Sequence, residues 1–94
     1  MDSTTRYQCD ADVTFQKLED ATVIVHLGTG RIHHTNATGS RIWELLNEGR
    51  SVAEVLAVLG AEFDAPAEEL QQELADFVGL LAGENMISPA GAAA

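Results

Sequence analysis

Scarcity narrows what this chain can be. It has one cysteine, Cys9, so no internal disulfide can form. Basic residues are few: Lys17, Arg6, Arg31, Arg41 and Arg50 stand against fifteen acidic ones, for a formal net charge of −10. These five are scattered rather than clustered. Binding to a nucleic-acid backbone requires grouped Lys and Arg to displace counterions, so no nucleic-acid partner is expected. No apolar run approaches the ~20 residues of a membrane span. The opening residues carry no apolar block of the kind a secretion signal needs. No membrane association is expected, and a reducing, cytoplasmic location follows.

What is present suits one small domain. Ninety-four residues with 46% hydrophobic and 21% charged content can bury one core, with little stability to spare. Residues 1–11 are polar and aperiodic and are expected to be a flexible N-terminus. The folded part is expected over 12–88, with 89–94 as a flexible tail. Asp12 to Leu18 alternates, with Val13, Phe15 and Lys17 on one side and Thr14, Gln16 and Leu18 on the other. Glu19-Asp20 suits a turn. Ala21 to Leu27 is rich in β-branched residues and predicts a second strand. Gly28-Thr29-Gly30 supplies permissive backbone for a reversal, and Arg31 to Thr35 forms a third, short strand. Connections this short imply an antiparallel meander with its first and third strands at the edges.

From Asn36 the hydrophobic period becomes helical. Asn36 can cap a helix that carries Ile42, Leu45 and Leu46 on one face and ends at Gly49. Gly39 in its first turn costs about 1 kcal/mol relative to Ala, which suggests close packing there. Ser51-Val52-Ala53-Glu54 is a capping box, opening a helix that buries Val52, Val55, Leu56 and Leu59. Pro66 marks the first turn of a third helix, about Ala65 to Gly83. Its Leu70, Leu74, Phe77, Val78 and Leu81 recur at helical spacing. The fold class is therefore α+β: a three-stranded antiparallel sheet followed by three helices, in an order like that of a winged helix-turn-helix.

Nothing in the chain assembles chemistry. No Ser/His/Asp, Cys/His or paired-carboxylate arrangement has a supporting context, so the protein is not expected to be an enzyme. Cys9 has no base nearby in sequence. His33 and His34 are adjacent in a strand and point to opposite faces, so with His26 they do not converge on a metal. Gly28-Thr29-Gly30 is too short for a phosphate loop, and no Gly-Lys-Ser/Thr follows. No catalytic residue, metal or cofactor is assigned. Trp43, beside Ile42 and at helical spacing from Leu46, reads as core.

Thr29-Gly30, Asn36, Thr38-Gly39, Ile42-Trp43-Glu44-Leu45-Leu46, Gly49, Ser51-Val52, Glu54 and the helix around Leu70, Leu74 and Phe77 occur here in the order seen in one family. With these residues the chain resembles the PqqD-like proteins, also described as RiPP precursor peptide recognition elements. The resemblance covers about residues 12–88. It implies three strands then three helices, and binding of the leader region of a ribosomally made precursor peptide. In the family the leader adds to the third strand, in a cleft bordered by the third helix. The peptide-binding residues implied are Arg31, Ile32, His33 and His34 of the strand, with Leu70, Glu73, Leu74, Phe77 and Val78 of the helix. Glu69 and Glu73 on the helix flank can pair with Lys or Arg of a leader. The other partner implied is a modifying enzyme or leader peptidase. The residues leave open a pyrroloquinoline quinone, lasso-peptide or radical-SAM pathway. Two alternatives carry weight from the layout alone: a winged-helix DNA-binding regulator, against which the charge argues, and a dimerising interaction module that pairs through an open sheet edge as a homodimer.

Overall fold

The computed structural model describes residues 3–90. Its elements run in the order β1 (Tyr7–Cys9), β2 (Val13–Leu18), β3 (Ala21–His26), β4 (Ile32–His34), α1 (Ala37–Asn47), α2 (Val52–Glu62), α3 (Ala67–Gly83) and β5 (Ile87–Pro89). The expected meander and three helices are all there. β2, β3 and β4 form an antiparallel sheet in sequential order, so β2 and β4 are its edges.

Glu19, in the turn between β2 and β3, adopts a left-handed backbone with φ 58°. β3 is the central strand and shows the alternation of a half-buried ribbon: Thr22, Ile24 and His26 are buried, while Ala21, Val23 and Val25 are half-buried on the other face. Register places Val13, Phe15 and Lys17 opposite His26, Ile24 and Thr22, and His33 opposite Ile24. All of these therefore share the inner face, toward the helices. The contacts agree: Phe15 meets Trp43 edge-on at 5.3 Å between ring centroids, and Lys17 Nζ lies 3.0 Å from Glu44 Oε1. The two layers are also joined by a buried hydrogen bond between the hydroxyls of Thr22 and Ser40, 2.6 Å apart.

The helix starts are set by local chemistry. The Asn36 side chain accepts the Gly39 N–H at 2.8 Å. In α2 both arms of the capping box form: Ser51 Oγ accepts the Glu54 N–H, and a Glu54 carboxylate oxygen accepts the Ser51 N–H. The next two orphan donors of this helix, Val52 and Ala53 N–H, bond to the carbonyls of Thr5 and Ser3. A chain segment thus completes the cap that side chains begin. α3 follows Pro66 without a side-chain cap and carries Glu68 and Glu69 in its first turn, the favourable sign for a helix N-terminus. Ile42, Trp43, Leu45, Leu46, Val55, Leu59, Leu74 and Leu81 fill the core between the helices and β3. Trp43 is fully buried, as core.

Two elements depart from expectation. Within residues 1–11, expected to be flexible, Tyr7–Cys9 forms β1 and pairs antiparallel with β5 at Ile87–Pro89. The physical reason is twofold. Tyr7 and Cys9 pack against the core cluster, and the Arg6 guanidinium bonds the Glu54 carboxylate at 3.1 Å and the Gly49 carbonyl. The expected tail over 89–94 likewise begins inside β5, and Ala90 N–H bonds the Arg6 carbonyl at 2.7 Å. Residues 1–2 and 91–94 lie outside the described residues.

Candidate functional site: an open edge beside a helix groove

β4 has one strand neighbour, β3. The His26 N–H bonds the Arg31 carbonyl at 2.9 Å and the Thr35 N–H bonds the Thr22 carbonyl at 2.9 Å. Those bonds fix which groups are free. In an antiparallel pair, residues alternate between bonding the partner strand and facing away. Arg31, His33 and Thr35 are turned to β3, so the N–H and C=O of Ile32 and His34 point away from the sheet. Their side chains lie on the outer face, and Ile32 is 60% exposed.

The other edge, β2, is blunted. Lys17 sits on it, and a lysine on an edge discourages strand addition. Its side chain is held by Glu44, on α1. The β4 edge instead runs beside α3. His33 projects inward, its ring 5.8 Å from that of Phe77 and tilted by 45°. Beyond it, at the C-terminal end of β4, a hollow of about 250 Å³ lies between the start of α1 and α3, lined by Asn36, Thr38, Gly39, Ile42, Glu73, Asp76, Phe77 and Leu80. At the other end of β4, Arg31 Nη1 lies 3.9 Å from Glu84 Oε1.

Gly39 explains how this hollow stays open. A Cβ there would lie 3.2 Å from Asn36 Oδ1 and from Thr35 Cβ, and 3.5 Å from Phe77 Cε1. The close approach suggested by a glycine in the first helical turn is real, and it borders the groove.

The named residues divide into three groups. Ile32, His33 and His34 form the edge strand, with Arg31 immediately before it; His33 is turned inward and His34 outward. Phe77 and Glu73 line the groove. Leu70 and Leu74 do not: at 3% and 0% exposure they belong to the core, and they hold the groove floor from beneath. Val78 is buried with them. These three of the residues named for peptide binding are thus buried, because α1 and α2 cover that side of α3. Glu69, also expected to meet a leader, lies exposed one turn before Glu73. Residues not expected at the site are Asn36, Thr38, Gly39, Ile42, Asp76 and Leu80. Leu80, 41% exposed, was legible in principle: it continues the Glu73–Phe77 stripe at helical spacing.

His26 is engaged in the turn after β3. Its Nδ1 accepts the N–H groups of Gly28 and Thr29 at 3.1 and 3.2 Å, and its Nε2 lies 3.7 Å from Asp10 Oδ1. It thereby organises the turn that delivers β4. Among the described residues no group of three or more His, Cys, Asp and Glu is placed to hold a metal ion. No helix among them is long and apolar enough to cross a membrane.

A small sheet with one strand edge open beside a helix groove has the layout to which an extended peptide can add as a further strand. The chain belongs to the PqqD family: the model described as coenzyme PQQ synthesis protein D matches residues 21–87. Among solved structures it is similar to TbiB1 in complex with the TbiA(beta) leader peptide, at 31% identity and a TM-score of 0.79, over 89% of this chain and 95% of that one. A lasso peptide synthetase B1 complexed with the leader peptide shares the fold, at 20% identity and a TM-score of 0.79, over 89% and 99% of the two chains. No curated protein matches the chain.

Proposed function

We propose that this protein binds the leader segment of a ribosomally synthesised precursor peptide by strand addition to β4, and presents it to a modifying enzyme or leader peptidase without performing chemistry itself. The observation that carries this reading is the outward-turned backbone of Ile32 and His34 beside the Phe77 groove. It is supported by family membership and by the likeness to TbiB1, which was solved with a leader peptide.

The energetics assign roles to the parts. Ile32 and His34 offer two donors and two acceptors. A hydrogen bond contributes a net ~0.5–1.5 kcal/mol, while micromolar binding requires about 8 kcal/mol. Backbone pairing alone therefore falls short, and ordering a disordered leader costs more again. The remainder comes from leader side chains that enter the groove. Those opposite His33 and Thr35 point inward, two positions apart, onto the His33–Phe77 pair and toward the Gly39 hollow. Glu73 and Asp76 at its rim favour a cationic neighbour, although exposed pairs contribute only about 0–1 kcal/mol each.

The test is a titration with a synthetic peptide spanning the leader of the precursor encoded beside this gene, followed by fluorescence anisotropy. Low-micromolar or tighter binding is expected, with a scrambled peptide inert. Absence of binding at millimolar peptide refutes the proposal.

A further inference from the structure

His26 is a buried histidine, 6% exposed, that the leader site does not touch. It ends β3, the strand that holds β4 in the sheet. The chain then reverses through Leu27 to Gly30 and re-enters the sheet at Arg31, whose carbonyl accepts the His26 N–H at 2.9 Å. Within this reversal the Gly28 and Thr29 N–H groups both donate to one atom, His26 Nδ1, at 3.1 and 3.2 Å. The turn sits tight on the ring: a Cβ on Gly28 would lie 3.1 Å from His26 Cε1. Backbone bonds frame the same turn, from Leu27 N–H to the Asp12 carbonyl and from Gly30 N–H to the His26 carbonyl, each 2.8 Å.

Two donors on one nitrogen fix the state of the ring. Nδ1 must present its lone pair, so the proton of the neutral ring is on Nε2, which faces Asp10 Oδ1 at 3.7 Å. A proton on Nδ1 would set three N–H groups against one another and strip the Gly28 and Thr29 donors of their acceptor. Ring protonation and turn closure therefore exclude each other. A charged ring has other partners at hand. Asp10 faces Nε2, and Asp12 Oδ2 lies 3.3 Å from the position of a Gly28 Cβ. On β4 and just before it, Arg31 leans to Glu84 at the end of α3 at 3.9 Å, and His33 lies against Phe77. On α1, Glu44 is taken by Lys17 at the far end of β2, and Arg41 by Glu62.

We infer that His26 is a positioning residue for leader capture and makes that capture acid-sensitive: its neutral ring closes the turn that starts β4, and proton uptake opens it. This rests on the strand-addition reading. Ile32, the first residue to offer its backbone to a guest strand, follows Gly30 and Arg31 directly. With the turn open, the start of β4 is no longer held in register with β3. Only molecules with the turn closed bind, so closure in about one molecule in ten lowers the apparent affinity about tenfold.

The test compares wild type with His26→Asn and His26→Leu at about pH 7.5 and about pH 5.5, a span across which histidine side chains gain charge. All three proteins keep His33, His34 and the same synthetic leader peptide, so a difference in pH response belongs to position 26. An asparagine oxygen accepts the N–H two residues on and does not titrate; leucine fills the space without an acceptor. By anisotropy, wild type is expected to lose about tenfold or more of its leader affinity in acid, and His26→Asn to stay within about threefold of neutral wild type at both pH values. His26→Leu is expected to bind about tenfold more weakly than neutral wild type at both. Thermal melts confirm folding, and if the leucine variant does not fold, the asparagine comparison decides alone. In the free protein, long-range 1H–15N spectra of the imidazole follow Nδ1 directly, and the Gly28 and Thr29 amide signals are expected to move as it gains its proton. Amide signals that stay in place overturn the inference and leave leader binding standing. So does a wild-type affinity that is flat across the pH span, or an asparagine variant with the full acid loss. If wild type binds no leader at neutral pH, the strand-addition reading fails first and this inference falls with it.

Discussion

The His33 imidazole reaches inward from the edge strand to within 5.8 Å of the Phe77 ring on α3, so one contact sets the spacing between the open edge and the helix that borders it. On the proposed strand addition, a leader residue opposite His33 packs on this pair. His33→Ala is expected to weaken leader binding about tenfold, a change of ~1.4 kcal/mol, because it removes the platform without touching the edge hydrogen bonds. His33 is only half-buried, so the melting temperature should move little. Anisotropy and a thermal melt on the same sample check both halves.

The alternation of bonded and free residues along β4 makes a paired prediction. The Ile32 N–H faces away from β3, so Ile32→Pro removes a donor that the fold does not use. It should abolish measurable leader binding while leaving most of the stability. The His33 N–H is turned toward Ile24, its register partner, so His33→Pro breaks a ladder bond as well. That variant should lose stability by about 1–3 kcal/mol more than Ile32→Pro, the cost of the unpaired ladder group. Chemical denaturation distinguishes the two; equal destabilisation would mean that the bonding parity of β4 is reversed.

These contrasts show what was readable in the residues alone. Asn36, Ser51 and Glu54 announced two helix starts, because caps are made by side chains within three positions of the groups they satisfy. The three-strand meander was legible from the β-branched run at Thr22–Val25 and the glycines after it. β1 and β5 were not: each is three residues long, and their pairing joins the two ends of the chain, beyond the reach of any local pattern. The groove was half legible. Periodicity placed Leu70, Leu74 and Phe77 on one stripe of α3, but which of them is capped by α1 and α2 depends on how helices cross. The stripe therefore could not tell core from lining, and the contribution of Asn36 and Thr38 appears only once α1 is seated.

Gly39→Ala sets helix propensity against the site. Alanine is favoured over glycine in a helix by about 1 kcal/mol. The added Cβ meets Thr35 Cβ and Asn36 Oδ1 at 3.2 Å, tight enough to displace the cap or the end of β4. The expected outcome is near-neutral stability with leader affinity reduced severalfold, since the intrusion falls where the groove begins. A variant with wild-type affinity would show that leaders do not use the hollow at the C-terminal end of β4.

Acid should loosen the attachment of α2. Hydrogen bonds from the Ser51 backbone and hydroxyl, and then the Arg6 charge, hold the Glu54 carboxyl below its ordinary range. The Arg41 guanidinium does the same for Glu62 through a two-pronged pair with both N···O distances at 2.8 Å. Both carboxyls are easier to ionise in the folded chain than in the unfolded one. Their contribution is therefore fully present above the unfolded glutamate range and is lost as pH falls through the lowered folded values. Both groups are exposed, so each effect is small. Melting temperature should hold steady from neutrality down to mildly acid pH and then decline. Glu54→Gln keeps the capping geometry, because an amide oxygen can still accept the Ser51 N–H, but it cannot titrate. Its acid decline should be shallower than that of the wild type, and identical slopes would remove Glu54 from the account.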